Sequence, residues 1–329
     1  MKKLFILMAA AAMMMVGCKN NSQPTEAQAA QEGAAVYMTT AISPEALVKI
    51  YEALGVKAEG RVAVKISTGE AGGNHYLHPE LIGDFVKHVN GKLVECNTAY
   101  AGKRMSTEDH LRVIEDHGFN TIGGVDIMDA EGDMQIPVRD TTYMRYNIVG
   151  KHLANYDCMI NLAHFKGHAM GGFGGVLKNA SIGVASTAGK TYIHSNGKTD
   201  DASQLWQNID PADQDKFLEC MATAAAAVHD YFKGKVLYIA VMNNISIDCD
   251  CDSHPTAPEL RDMGILASTD PVALDQACYD LVYSHQDIEG DDATSLKARI
   301  DKQHGIHTVE HAEAIGLGTR TYHIVSIDK

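Results

Sequence analysis

The sequence predicts an α/β protein, a mostly parallel sheet with helices on both faces. Three observations carry this. Short apolar or β-branched runs alternate with amphipathic stretches at the spacing of strand–helix units. Asp157–Ala163 is dominated by apolar residues and Val236–Met242 is apolar throughout, the pattern of strands buried on both faces. Proline and glycine punctuate the chain where helices should start and stop, as at Ser43-Pro44-Glu45 and Gly91. The length allows one large α/β domain or two closely packed α/β subdomains.

The elements follow in order. Residues 1–17 read as a signal: Lys2-Lys3, the apolar Leu4–Val16, then Gly17-Cys18. The Gly-Cys junction resembles a bacterial lipobox, which implies that Cys18 becomes the lipidated first residue. Residues 18–40, rich in Asn, Ser, Gln, Ala and Glu, read as a flexible tether, and 41–329 as the α/β domain. Ser43–Leu54 reads as a helix, Arg61–Ser67 as a strand, His78–Asn90 as a helix and Leu93–Asn97 as a strand. A helix over Ser106–His117, a strand over Gly124–Asp129 and a helix over Asn147–Asn155 lead into the strand ending at Ala163. Beyond a glycine-rich turn, helix-compatible patterning resumes at Val176 and returns over Pro211–Phe232. Strands Val236–Met242 and Gly264–Ser268 then precede a helix opened by Asp270-Pro271. Helical turns over Asp291–Gln303 and Thr308–Ala314 and an edge strand over Thr321–Ile327 close the chain.

With 28 Lys and Arg against 42 Asp and Glu, the formal charge is -14 and no basic cluster stands out. That balance excludes nucleic acid and anionic lipid surfaces as expected partners, leaving a small molecule or anion. The membrane is expected as a partner only through the lipid anchor, on the periplasmic side of the cell envelope. Of the seven cysteines, Cys158, Cys220 and Cys278 sit in apolar contexts and read as core, so no disulfide framework is expected.

The chemistry concentrates in two places. The segment from Asn161 to Asn179 carries His164, Lys166, His168 and Lys178 around Gly171, Gly172, Gly174 and Gly175. Glycines let a backbone approach a ligand closely, and reactive side chains at the carboxyl end of a strand lie where such sheets place their sites. His164 and His168 are therefore candidate proton carriers or metal ligands, and Lys178 a partner for an anion or carbonyl. Lys166, Asn179, the four glycines and, further on, His194 are candidate cofactor-binding residues. No G-x-x-x-x-G-K-[ST] pattern is present, so a nucleoside triphosphate is not expected. The second place is Asp248-Cys249-Asp250-Cys251-Asp252-Ser253-His254, where Cys249, Cys251 and His254 are candidate ligands for a transition metal, iron or zinc. A disulfide or unrelated thiols are the alternatives there. His307-Thr-Val-Glu310-His311 matches the H-x-x-E-H zinc-peptidase pattern, but only eighteen residues follow, so the remaining ligand is not expected.

The turn motif, Cys249-Asp-Cys251-Asp and Asp262-Met-Gly-Ile-Leu-Ala-Ser-Thr-Asp270-Pro-Val-Ala-Leu-Asp275 together resemble the bacterial family called domain of unknown function 362, from about Arg61 onward. The resemblance implies an α/β domain and a link to iron–sulfur or redox chemistry. Many relatives carry a ferredoxin module with clustered cysteines, which this sequence lacks. A weaker resemblance is to the lactate racemase family, whose nickel-pincer site has a histidine, a glycine-rich turn, a lysine and a further histidine. His168, Lys178 and His194 fall in that order, while Lys103 stands where that family's catalytic histidine would be, which argues against racemase chemistry. The expectation is a lipid-anchored envelope protein with a metal- or redox-linked site at the glycine-rich turn, an oxidoreductase or isomerase-like enzyme. The alternatives are a periplasmic lipoprotein that binds a metal or small anion without turnover and one with a purely structural role.

Overall fold

The computed structural model describes residues 32–328. Cys18 and the signal reading of residues 1–17 lie outside the described residues. The chain runs β1 (Ala34–Thr39), α1 (Pro44–Ala53), β2 (Val62–Lys65), α2 (Pro79–His88), β3 (Gly91–Glu95), α3 (Thr107–Asp116) and β4 (Val125–Ile127). A hairpin follows, β5 (Asp133–Pro137) with β6 (Tyr146–Gly150), then β7 (Cys158–His164), and a smaller hairpin, β8 (Lys166–His168) with β9 (Gly172–Gly174). Next come α4 (Val176–Ser181), α5 (Thr187–His194), α6 (Leu205–Asn208), α7 (Gln214–Tyr231), β10 (Val236–Met242) and β11 (Gly264–Ser268). The last elements are α8 (Pro271–Ser284), α9 (Thr294–Lys302), α10 (His307–Ala314) and β12 (Tyr322–Ser326).

Local chemistry explains the boundaries. The Ser43 side chain accepts from Ala46 N–H with Pro44 opening α1, and Asp270 accepts from Val272 and Ala273 with Pro271 opening α8. Eight strands form one sheet in the order β12-β1-β11-β10-β7-β2-β3-β4. All neighbours are parallel except for β11, which runs against both β1 and β10. The buried strands use both faces: Val64, Ile160, Leu162 and Ile239 pack with α1 and α2, whereas Ala63, Met159 and Ala240 pack beneath α4, α7 and α8. This is the doubly covered α/β sheet expected, and residues from Glu32 onward make one compact unit rather than two subdomains.

Three sequence expectations give way. Residues 34–39, read as tether, form β1, which hydrogen-bonds between β11 and β12; its weak apolar pattern hides a strand whose partners come from the other end of the chain. The helix expected over Asn147–Asn155 is instead the end of β6 followed by a 3-10 turn, because Ile148 and Val149 are β-branched and pair with β5. The glycine-rich turn is not a plain loop but the β8–β9 hairpin.

Candidate functional site

β2, β3, β7 and β10 all point their carboxyl ends at one edge of the sheet, and the chemistry gathers there. Lys65 ends β2, Glu95 ends β3, His164 ends β7, and the chain after β10 leads to Cys249 and Cys251. That loop reaches the β8–β9 hairpin because residue 167 is glycine: a Cβ there would lie 2.1 Å from the Ile247 carbonyl oxygen. Gly167 N–H instead donates to Ser246 O at 2.8 Å, drawing the cysteine loop onto the hairpin.

Asp250 locks the two segments together. Its carboxylate accepts from His164 Nδ1 at 2.7 Å and from Lys166 Nζ at 2.8 Å, with all three side chains buried. Burial alone would raise the Asp250 carboxyl, but the His164 and Lys166 charges hold it well below the usual carboxylate range. His164 Nε2 also faces Asn243 O at 2.6 Å, so both of its ring nitrogens are committed to acceptors and neither offers a lone pair to a metal. His164 and Lys166 are thereby braces of the site.

Cys249 and Cys251 lie on the same cavity wall as His168, and the three donor atoms fall within 4.8 Å of one another. Their spacing suits a small metal ion, whose thiolate and imidazole bonds run about 2.0–2.3 Å. Both cysteines are free thiols. Cys249 is held well below the ordinary thiol range, chiefly by its hydrogen bond with Cys251, with the Lys178 and Lys166 charges adding to it and burial opposing. Cys251 is pushed up by that same bond and by burial. Lys178 Nζ approaches Cys249 Sγ at 3.8 Å. His168 is buried and stays neutral, its pKa driven down by burial and then by Lys178 and His194. Its Nδ1 accepts from Gly171 N–H at 2.8 Å and Met170 N–H at 3.3 Å, which leaves the ring proton on Nε2. His254 stands outside this trio, exposed and bonded to Ser253.

The cavity is about 300 Å³ in volume and carries an excess of cations along its walls. Lys65 donates to Ile66 O and to Asn179 Oδ1 at 3.1 Å, and Lys190 to Ala185 O at 2.6 Å. Among the described residues, neither these two lysines nor Lys178 is ion-paired with a carboxylate. Arg104 is buried between Glu70 and Glu95 at 3.2 and 3.0 Å, so its charge is already answered. His194 donates from Nδ1 to Lys190 O at 2.7 Å and stacks on Phe217, and burial lowers its pKa to about 4. It is a neutral ring whose free nitrogen is an acceptor. Gly174, Gly175 and Asn179 line the cavity, whereas Gly171 and Gly172 turn the hairpin against Gly305.

Lys65, Lys190 and Arg104 were missed as site residues. A lysine inside Val62-Ala-Val-Lys65-Ile66, an otherwise apolar strand, was the available signal for the first. Lys190 and Arg104 left none, since each lies in polar sequence and acquires its meaning from the fold.

The family model described as Domain of unknown function (DUF362) matches residues 62–280. No curated protein matches the chain. Among solved structures, the lactate racemase apoprotein from Thermoanaerobacterium thermosaccharolyticum is similar at 14% identity and a TM-score of 0.41, over 76% of this chain and 57% of its own. A structural-genomics protein from Thermotoga maritima is similar at 13% identity and a TM-score of 0.38, over 74% of this chain and 58% of its own. The chain thus spans less than two thirds of either, and neither likeness bears on its chemistry.

Proposed function

The chain belongs to the domain of unknown function 362 family, and from the pocket within that family's segment we propose that it is an enzyme acting on a small organic anion at a metal- or redox-linked site. The observation that carries this is the convergence of His168, Cys249 and Cys251 on the wall of a cavity furnished with ammonium groups that no carboxylate pairs among the described residues. Lys65, Lys178 and Lys190 would supply the counter-charge for a carboxylate or phosphate, since burying an unanswered cation is costly and an anionic ligand removes the cost. Cys249 and Cys251 would hold iron or zinc, and His168 would join them only with its Nδ1 released from the Gly171 and Met170 amides. Such an ion would add Lewis acidity or electron transfer beside the bound anion. His194 offers a neutral acceptor to a substrate proton, and Asp250 keeps Lys166 and the cysteine loop in register with the hairpin. The lipid anchor at Cys18 and a periplasmic location belong to the same proposal; no helix among the described residues is long and apolar enough to cross a membrane.

A second reading rests on His168. A ligating histidine ordinarily donates its other ring N–H to an acceptor, whereas His168 Nδ1 accepts from two amides. That arrangement suits a metal-free pocket that binds a small anion without turnover, with the Cys249 thiolate answering Lys178. Anaerobic purification followed by elemental analysis and an absorption spectrum separates the two. The first reading expects a stoichiometric transition metal that is lost in Cys249→Ser/Cys251→Ser. Metal-free protein with two freely titratable thiols would overturn it in favour of the second.

A further inference from the structure

A separate group of metal-capable side chains lies at the start of α10. His304, His307 and Glu310 bring their donor atoms within 4.8 Å of one another, on segments the cavity does not use. Each of the three is already aimed by a partner behind it. His304 Nδ1 bonds Asp215 Oδ1 at 2.7 Å, which leaves Nε2 as that ring's free lone pair. His307 Nε2 bonds Glu219 Oε1 at 2.9 Å, which leaves Nδ1 free. Arg320 Nη1 holds Glu310 Oε1 at 3.2 Å, leaving Oε2 to face His307 Nδ1 at 3.6 Å. Carboxylates donating order to two imidazoles from behind is the arrangement that orients ligating histidines.

The facing atoms decide the chemistry. A lone-pair nitrogen and a carboxylate oxygen repel unless something positive lies between them. At 3.6 Å the gap is too long for a shared hydrogen bond, so a proton on His307 would answer Glu310 only as a loose ion pair. A metal ion fits the gap: bonds of about 2.1 Å at tetrahedral angles put neighbouring ligands roughly 3.4 Å apart. The His304 ring stacks on His307 with centroids 5.0 Å apart, which keeps the two imidazoles side by side. His311 is not part of the group, being bonded to Asp140, so the H-x-x-E-H spacing contributes two ligands and the third comes from upstream.

We propose that His304, His307 and Glu310 form a second, surface metal site for a zinc-like divalent transition ion, with Asp215, Glu219 and Arg320 orienting the three ligands. The remaining coordination positions are open to water. Through Asp215 and Glu219 the ligands are fastened to α7, which also meets the hairpin that carries His168: Gln214 Nε2 donates both to Met170 O at 2.7 Å and to Gln303 O at 2.8 Å.

The test is zinc(II) titration by calorimetry on the full chain carrying Cys249→Ser/Cys251→Ser, which removes the cavity's thiolates and keeps this question apart from the first. One equivalent should bind, and adding His304→Ala/His307→Ala should abolish it. Glu219→Gln alone should weaken binding by roughly 10–100-fold with the circular dichroism unchanged. Absence of a zinc equivalent in the thiol-free chain, or binding indifferent to His304 and His307, overturns the proposal. Should the serine variant fail to fold, cobalt(II) loading of the otherwise unaltered chain reads the same point. His304→Ala/His307→Ala must then lose one equivalent while leaving any thiolate charge-transfer band intact, and an unchanged stoichiometry overturns the site.

Discussion

Lys65 ends β2 with 1% of its surface exposed, and burial pulls its ammonium down to about 8 against the attraction of Glu95. The unfolded chain keeps that proton to a pH near 10.4. Folding therefore releases a proton between about pH 8 and 10.4, and stability rises with pH through that window; below it both states are charged and the burial penalty is constant. Lys65→Met lacks the titration. Chemical denaturation at pH 7 and pH 9.5 should show wild type gaining on the variant by roughly 2 kcal/mol at the higher pH. A stability difference that is the same at both values would mean that Lys65 titrates normally. An anionic ligand that holds Lys65 charged should in turn bind more weakly above pH 8. Residue identity alone was a partial guide here. His164 and His168 read alike in the sequence, both behind the same strand, yet one is spent on Asp250 and Asn243 while the other faces the cysteines. Which nitrogen meets which partner is decided by a loop some eighty residues away, as the separations of 86 and 79 residues in those bonds record.

Between elements, close backbone approach does the positioning. Gly167 admits the cysteine loop, and Gly175 admits Asp275, whose carboxylate oxygens accept from Val176 and Leu177 N–H at 2.8 and 2.9 Å and so cap α4 from α8. A methyl group at residue 167 would meet a carbonyl oxygen and its backbone, not a side chain that can swing away. Gly167→Ala should destabilise the protein by about 1–3 kcal/mol and pull Cys249 away from His168, weakening any metal held there. Denaturation midpoints together with metal stoichiometry check both parts; unaltered metal binding would show that the loop is not placed by this contact. Asp275→Ala should cost a similar amount, about 1–3 kcal/mol, by leaving two helix-start amides without an acceptor in the core. Strands and capped helices of this protein were legible because their signals are local: Ser43-Pro44, Asp270-Pro271 and the apolar runs of β7 and β10. The convergence of the cysteine loop on the hairpin was not, because glycine in a glycine-rich stretch does not say what it makes room for.

For the molecule as a whole, the sheet is finished by its two ends. β1 inserts between β11 and β12, antiparallel to the former and parallel to the latter, so the segment read as tether is the only link between β12 and the rest of the sheet among the described strands. Val36 is fully buried there, Ser268 Oγ donates to Ala35 O at 2.8 Å, and Asp328 returns to bond Thr39 and Thr40. Sequence patterning missed β1 because only Val36 and Thr39 of its six residues are buried, and parallel pairing with residues near 324 has no local signature. Its energetic weight follows from those contacts. A chain beginning at Ala41 should lose on the order of 3 kcal/mol or more relative to one beginning at Glu32, from one buried valine and the lost ladder bonds. It should also aggregate more readily, since β11 becomes an exposed and mostly apolar edge. Thermal melts and light scattering on the two chains measure this, and equal midpoints would mean that β1 is an ornament on a sheet already complete without it. The site offers an internal control: it lies on β2, β3, β7 and β10, three or more strands from β12, so a truncated chain that still folds should keep its cavity and its metal stoichiometry.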